Sequence, residues 1–227
     1  MCVSAGATKS GGGGLATSAL SQSGEKIDLT DYPLKYGDAD KALTPNQRRT
    51  IEDFEQRHQK SKVEYATLLD ADGNPTMPEK RGGKNGVRTY ASDWRNAEVM
   101  SHNHPRSENG GILGGTFSYD DLNTFTTVKT KTMRAAAAEG TYSITKSGNF
   151  NYTGFRDYAR NIRDRNYSGY KAAELDLRKQ YKTSKITYDD YVKQSNKAFN
   201  KMLVDMHNEL LSGQKTYGYT YTLERRK

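Results

Sequence analysis

The segment Ser101-His-Asn-His-Pro105 puts two of the chain's four histidines at positions i and i+2. In an extended backbone residues two apart project to the same face, which a pair at that spacing on a helix would not do. Pro105 favours the extended form, because the residue before a proline is pushed out of the α region. Two neighbouring imidazoles joined by a carboxylate are suited to zinc. Taken alone, the pair reads equally well as two part-exposed loop histidines. Sixteen residues separate His104 from Asp121, the last residue of Ser118-Tyr-Asp-Asp121. That tetrapeptide has the form of a helix N-terminus, in which the serine caps the backbone and an acidic residue at N3 returns the bond. Thr187-Tyr-Asp-Asp190 repeats the pattern with no histidine pair before it, so by itself the pattern says only that a helix starts. Asp121 is singled out by position: an N3 carboxylate lies in the first turn, where it can face a strand that feeds into the helix, as a third ligand.

A hydrolytic zinc site keeps one coordination position for water and needs a base near it. Glu98 shares a strand face with His102, but four strand residues put them about 13 Å apart. Glu64 occupies a different strand, on the face carrying Ala66 and Leu68, where an unpaired carboxylate is costly to bury. A role beside a metal-bound water accounts for it, and so does a part-exposed surface position.

The elements that must position these groups are readable around them. Thr44 and Pro45 open a helix over residues 44–59, with Ile51, Phe54 and His58 on one stripe. Val63 to Leu69 alternates as a strand into a turn at Asp72-Gly-Asn-Pro75; the calcium-loop alternative for this stretch fails, because Arg81 stands where a bidentate glutamate belongs. Residues 86–91 and 97–104 are further strands, 118–129 is a capped helix, and 132–152 holds strands turning at Glu139-Gly140 and Ser147-Gly-Asn149. Beyond Gly154 helical stripes take over. The first is interrupted at Gly169; the second is capped at Thr187, runs through Tyr191, Ser195, Phe199, Met202, Met206 and Leu210, and closes at Gly213. The pair reads as an αα-hairpin, and Thr216 to Glu224 returns as a strand. His58 and His207 read as structural or solvated. The glycine runs lack a following G-K-[ST], so a P-loop is not supported.

With 33% hydrophobic residues and a mean hydropathy of -0.95, the chain supports a modest core, helped by 16 tyrosines. One cysteine excludes an internal disulfide framework and a Cys-rich zinc site. The formal charge of +8 is uneven: residues 155–227 hold 16 basic and 9 acidic side chains, whereas 61–154 hold 11 and 10. A nucleic-acid or virion partner would therefore meet the C-terminal third. No apolar run approaches a membrane span, and the N-terminal residues lack the apolar region of a secretory signal, so the expected location is cytoplasmic or virion-associated.

A glutamate on an earlier strand, then H-x-H-P, then S-x-x-D, resembles the JAMM (MPN+) zinc metalloprotease signature. "SHNHP" and "FSYDD" are especially similar to its bacterial and phage, RadC-like branch. The resemblance covers about residues 63–145. It implies an α/β (α+β) cytidine-deaminase-like MPN core, with Zn2+ held by His102, His104 and Asp121, Glu64 as acid/base and Ser118 helping to stabilise the oxyanion. The spacing between His104 and Asp121 exceeds the family's usual one, so residues 108–115 resemble a loop insertion that could form a flap or distort the site. The division expected is a Gly/Ser-rich flexible arm over 1–40, the metallopeptidase-like core over 41–153 and a basic helical hairpin lobe with a terminal strand over 154–227. The function expected is hydrolysis of an amide or isopeptide bond in a peptide or protein such as a ubiquitin-like tail or a peptidoglycan peptide. The alternatives are a non-catalytic phage or virion-associated binding module and a toxin or effector domain.

Overall fold

A computed structural model describes residues 28–105 and 111–225. Six strands form one mixed sheet: β1 Tyr65–Leu69, β2 Lys80–Arg81, β3 Val99–Asn103, β4 Thr132–Ala137, β5 Gly140–Lys146 and β6 Tyr219–Glu224, in the spatial order β2-β1-β3-β4-β5-β6. The helices are α1 Pro45–His58, α2 Tyr119–Thr127, α3 Tyr152–Lys182 and α4 Tyr188–Tyr217. β3 and β4 are parallel, and every other neighbouring pair is antiparallel. A parallel pair needs a crossover. Here α2 lies in that crossover, so the chain leaves the histidine strand and enters the helix that carries Asp121.

The two faces of the sheet differ in chemistry. One row runs Ala66, His102, Ala135, Tyr142, Leu223 across five strands. Alanines on both sides of His102 leave room for its ring beneath the packed helices. The next row, on the opposite face, runs Thr67, Ser101, Arg134, Ser143, Thr222. There Arg134, 1 % exposed, donates to Glu55 of α1 at 2.7 and 3.1 Å and to Glu224 of β6 at 2.8 and 3.2 Å. Ser101 donates to the same Glu55 at 2.9 Å. These charges are paired and satisfied, as burial requires. They tie α1 under the sheet while the histidines look the other way.

The expected helix over 44–59 forms as α1, with Thr44 and Gln47 closing a capping box. The expected turn after β1 forms too, with the Asp70 carboxylate accepting the amides of Asp72 and Asn74. Other expectations are corrected. Residues 86–91 form no strand; the edge strand is the short β2. Gly169 does not break α3, because an added Cβ there would meet only open space and one exposed glycine costs a long helix about 1 kcal/mol. Gly213 does not end α4, which runs on to Tyr217 and stops at Gly218 with φ 73°. Gly213 is small for packing: a Cβ would lie 2.6 Å from the Tyr158 ring.

The arm expected over 1–40 lies outside the described residues as far as 27. From residue 28 onward it packs, with Leu29, Tyr32, Leu34 and Tyr36 against the core and the buried Asp40 accepting the hydroxyls of Ser143 and Thr145. Residues 154–225 share the same core: β6 closes the sheet beside β5, and Leu203, Val204, Leu210 and Leu223 pack in one cluster with Ala66 and Met100. The far end of the α3–α4 hairpin has a small cluster of its own, Leu177, Tyr191 and Val192. Among the described residues no helix is long and apolar enough to cross a membrane.

Candidate metal centre

His102 ends one buried row of β3, and His104 follows the strand by one residue. The backbone amide of His104 still donates to the Ala136 carbonyl at 2.8 Å, so the extended geometry continues through both histidines. Their Nε2 atoms stand 3.1 Å apart. Asp121, at N3 of α2, directs Oδ2 to within 3.6 Å of His102 Nε2 and 3.9 Å of His104 Nε2. With bonds of 2.0–2.1 Å, two ligands of a tetrahedral zinc lie about 3.3 Å apart. The three separations bracket that value, so a small inward adjustment of the carboxylate completes one face of a tetrahedron. Among the described residues this is the one group of His, Cys, Asp and Glu close enough to hold an ion. All three are buried: 2 %, 8 % and 8 % exposed.

The surroundings favour this use. His104 Nδ1 donates to the Gly115 carbonyl at 2.8 Å, which leaves the Nε2 lone pair facing the cluster. That is the outer support a ligating histidine ordinarily has. Asp121 is aimed by the capping box, since its Oδ2 accepts the Ser118 amide at 2.8 Å and the Ser118 hydroxyl at 2.7 Å. Burial works against a charge on His102, yet the Asp121 carboxylate, aided by Glu64, outweighs it and raises the imidazole above its ordinary value. Burial likewise opposes ionisation of Asp121, and His102 followed by His104 overrides it, holding the carboxyl well below the usual range. Both shifts have one cause: the buried carboxylate and the imidazoles beside it favour each other's charged forms.

Glu64 immediately precedes β1 and stands outside the three-residue cluster, near enough for its charge to act on His102. It is half-buried. Its amide donates to the Gly83 carbonyl at 2.8 Å and its carbonyl accepts the Gly82 amide at 2.7 Å, while Oε2 faces Gly86. Asn103, the residue between the histidines, splints this place from the β3 side. Its side chain accepts the Tyr65 amide at 2.6 Å and donates to the Val63 carbonyl at 3.1 Å, on either side of Glu64. Sequence reasoning passed over Asn103, because a polar residue in an H-x-H segment gives no sign of bonding to the next strand's backbone.

No protein-family model matches the chain, and neither a curated protein nor a solved structure resembles it significantly. Ser118 is brought to the site, but its hydroxyl proton is directed at Asp121. The described part of the expected insertion, residues 111–115, forms no open flap: Ile112, Leu113, Gly114 and Gly115 are buried beside the centre. His58 and His207 lie elsewhere. His58 stacks on Tyr65 at 4.0 Å between ring centres, and the buried His207 bonds to the Tyr221 hydroxyl at 2.9 Å.

Proposed function

We propose that this chain is a zinc-dependent hydrolase of amide or isopeptide bonds, with a core of the JAMM (MPN+) kind. The observation that carries the reading is the convergence of His102, His104 and Asp121, from a strand and the first turn of the following helix, on one buried point. Zinc bound there would supply a Lewis acid and a water of lowered pKa. The chain's own groups divide the remaining work. His102, His104 and Asp121 hold the ion. Glu64 accepts the proton of the attacking water on its carboxylate and returns it to the leaving amine. Asn103 keeps the strand end that bears Glu64 in register with the histidines. Ser118 orients Asp121; an oxyanion contact from its hydroxyl would require that bond to be given up.

The substrate class is a peptide or protein amide, including isopeptide-linked tails and peptidoglycan peptides. Lys179, Lys182, Lys185 and Lys197, exposed on the basic hairpin, favour an additional contact with nucleic acid or an anionic virion protein. The experiment is cleavage of a defined peptide mixture, read by mass spectrometry, by zinc-loaded protein and its Glu64→Gln variant. We expect new amine termini with the natural chain, a loss of about 100-fold or more in the variant, and zinc retained by both. Undiminished cleavage by Glu64→Gln would remove the acid/base assignment. Salt-sensitive nucleic-acid binding without any cleavage would favour the binding-module alternative.

A further inference from the structure

We propose that Glu139 is the positioning residue of this centre: its buried carboxylate clamps the backbone of Gly114 and Gly115, and the Gly115 carbonyl in turn fixes the ring of His104. The inference rests on the metal-binding reading above. Glu139 lies in the turn between β4 and β5 and is 4 % exposed. Oε2 accepts the Gly114 amide at 2.9 Å; Oε1 accepts the Gly115 amide at 2.7 Å and the Tyr142 hydroxyl at 2.8 Å. The carbonyl of the same Gly115 takes the Nδ1 proton of His104 at 2.8 Å. One residue of backbone therefore separates the carboxylate's grip from the ligand's. A two-residue turn closes β4 onto β5 without any buried charge, so the turn does not explain a carboxylate here. The loop does.

Residues 112–117 run buried, with no helix or strand ladder to satisfy their amides, and buried amides must find acceptors. The two glycines allow the close approach that puts Glu139 within reach. A Cβ on Gly114 would fall 2.4 Å from that of Ala137, and Gly115 has φ +83° with Leu203 only 2.8 Å from where a Cβ would be. Asn200 of α4, fully buried, supports the preceding stretch: its Oδ1 accepts the Leu113 amide and its Nδ2 donates to the Gly111 carbonyl, both at 2.9 Å. The orientation of His104 is thus set by a clamped loop, whereas His102 sits within the strand row, with the Arg134 backbone of β4 and the Phe117 ring beside it.

The test is the full-length Glu139→Gln variant. A glutamine amide offers one acceptor oxygen and turns an NH2 toward the second glycine amide, so one clamping bond is lost whichever way it is flipped. We expect zinc affinity, measured by competition with a chelator, to fall about 10- to 100-fold. We also expect the imidazole nitrogen NMR shifts of His104 to change from a single Nδ1–H tautomer to a mixture. Glu55→Gln, which removes an equally buried carboxylate on the other face of the sheet, should lower thermal stability and leave zinc affinity unchanged. Should Glu139→Gln fail to fold, amide exchange in the natural chain decides: Gly114 and Gly115 must be protected to the level of the strands. A folded Glu139→Gln with natural zinc affinity and an unchanged His104 tautomer overturns the proposal, as does open-loop exchange at both glycines. If the natural chain itself takes up no zinc, the metal reading falls along with it; if it does and the variant matches it, only the role of Glu139 falls.

Discussion

The chain starts two helices with the same four-residue device, and only one of them sets its carboxylate beside a pair of histidines. At α4, the Thr187 hydroxyl donates to Asp190 Oδ2 at 2.7 Å and the Asp190 amide returns to Thr187 at 3.1 Å. At α2, the Ser118 hydroxyl donates to Asp121 Oδ2 at 2.7 Å and the Asp121 amide returns at 3.2 Å. The local geometry is the same. Both carboxyls are held below their ordinary value, but for different reasons. Asp190 is fully exposed and its Thr187 bonds suffice; Asp121 is buried and owes its charge to two imidazoles. A cap becomes a candidate ligand when the strand feeding its helix presents histidines to it. The difference lies in what precedes the tetrapeptide and in the crossover topology.

Substituting the two acids is the strongest way to break this comparison. Asp121→Ala should lower zinc affinity by more than about 100-fold, beyond the range seen for outer-shell changes. Asp190→Ala should leave it untouched while fraying α4. Titration against a chromophoric chelator distinguishes them, and equal losses from both would mean that the two caps act only on the fold. A smaller effect comes from the hydroxyls. Ser118→Ala and Thr187→Ala should each cost about 1 kcal/mol in urea denaturation. Only Ser118→Ala should also weaken zinc, by about 10-fold, because it frees the carboxylate to turn.

The smallest effect is a pH dependence in metal-free protein. Asp121 and Asp190 have depressed folded values, so each contributes stability that is full above about pH 4 and lost as pH falls through the folded value. His102 has a raised folded value, so its contribution is full below about pH 6.5 and lost as pH rises through the folded value. The α2 end therefore has an alkaline loss that the α4 end lacks. Urea midpoints in chelator should decline as pH rises above about 6.5, with the decline missing from His102→Gln. Zinc should abolish the decline, because it takes neutral imidazoles. A metal-free profile that stays flat as pH rises above about 6.5, or the same decline in His102→Gln, would show that the cluster is not coupled as described.

Much of this was legible in sequence wherever a local rule applies. Thr44-Pro45, Ser118 and Thr187 announced their helices because capping is decided within four residues. The H-x-H pair announced a shared face because strand periodicity is two. Features set by distant contacts were hidden. Arg134 sits in an alanine-rich strand, and nothing nearby shows that Glu55 and Glu224 will enclose it. Gly169 and Gly213 looked like stops, but one is harmlessly exposed and the other makes room for Tyr158. Residues 28–40 read as a tether because their tyrosines and leucines have no periodic partner until β6 and α4 are in place. Glu139 read as a turn residue, since its partners are glycine amides more than twenty residues earlier.

Metal content by elemental analysis, after equilibrium dialysis against zinc and then against buffer, tests the central claim most directly. We expect one zinc per natural chain and none in His104→Ala with its fold intact. A natural chain that emerges without zinc, or a His104→Ala variant that keeps it in full, would contradict the claim that His102, His104 and Asp121 form a metal centre.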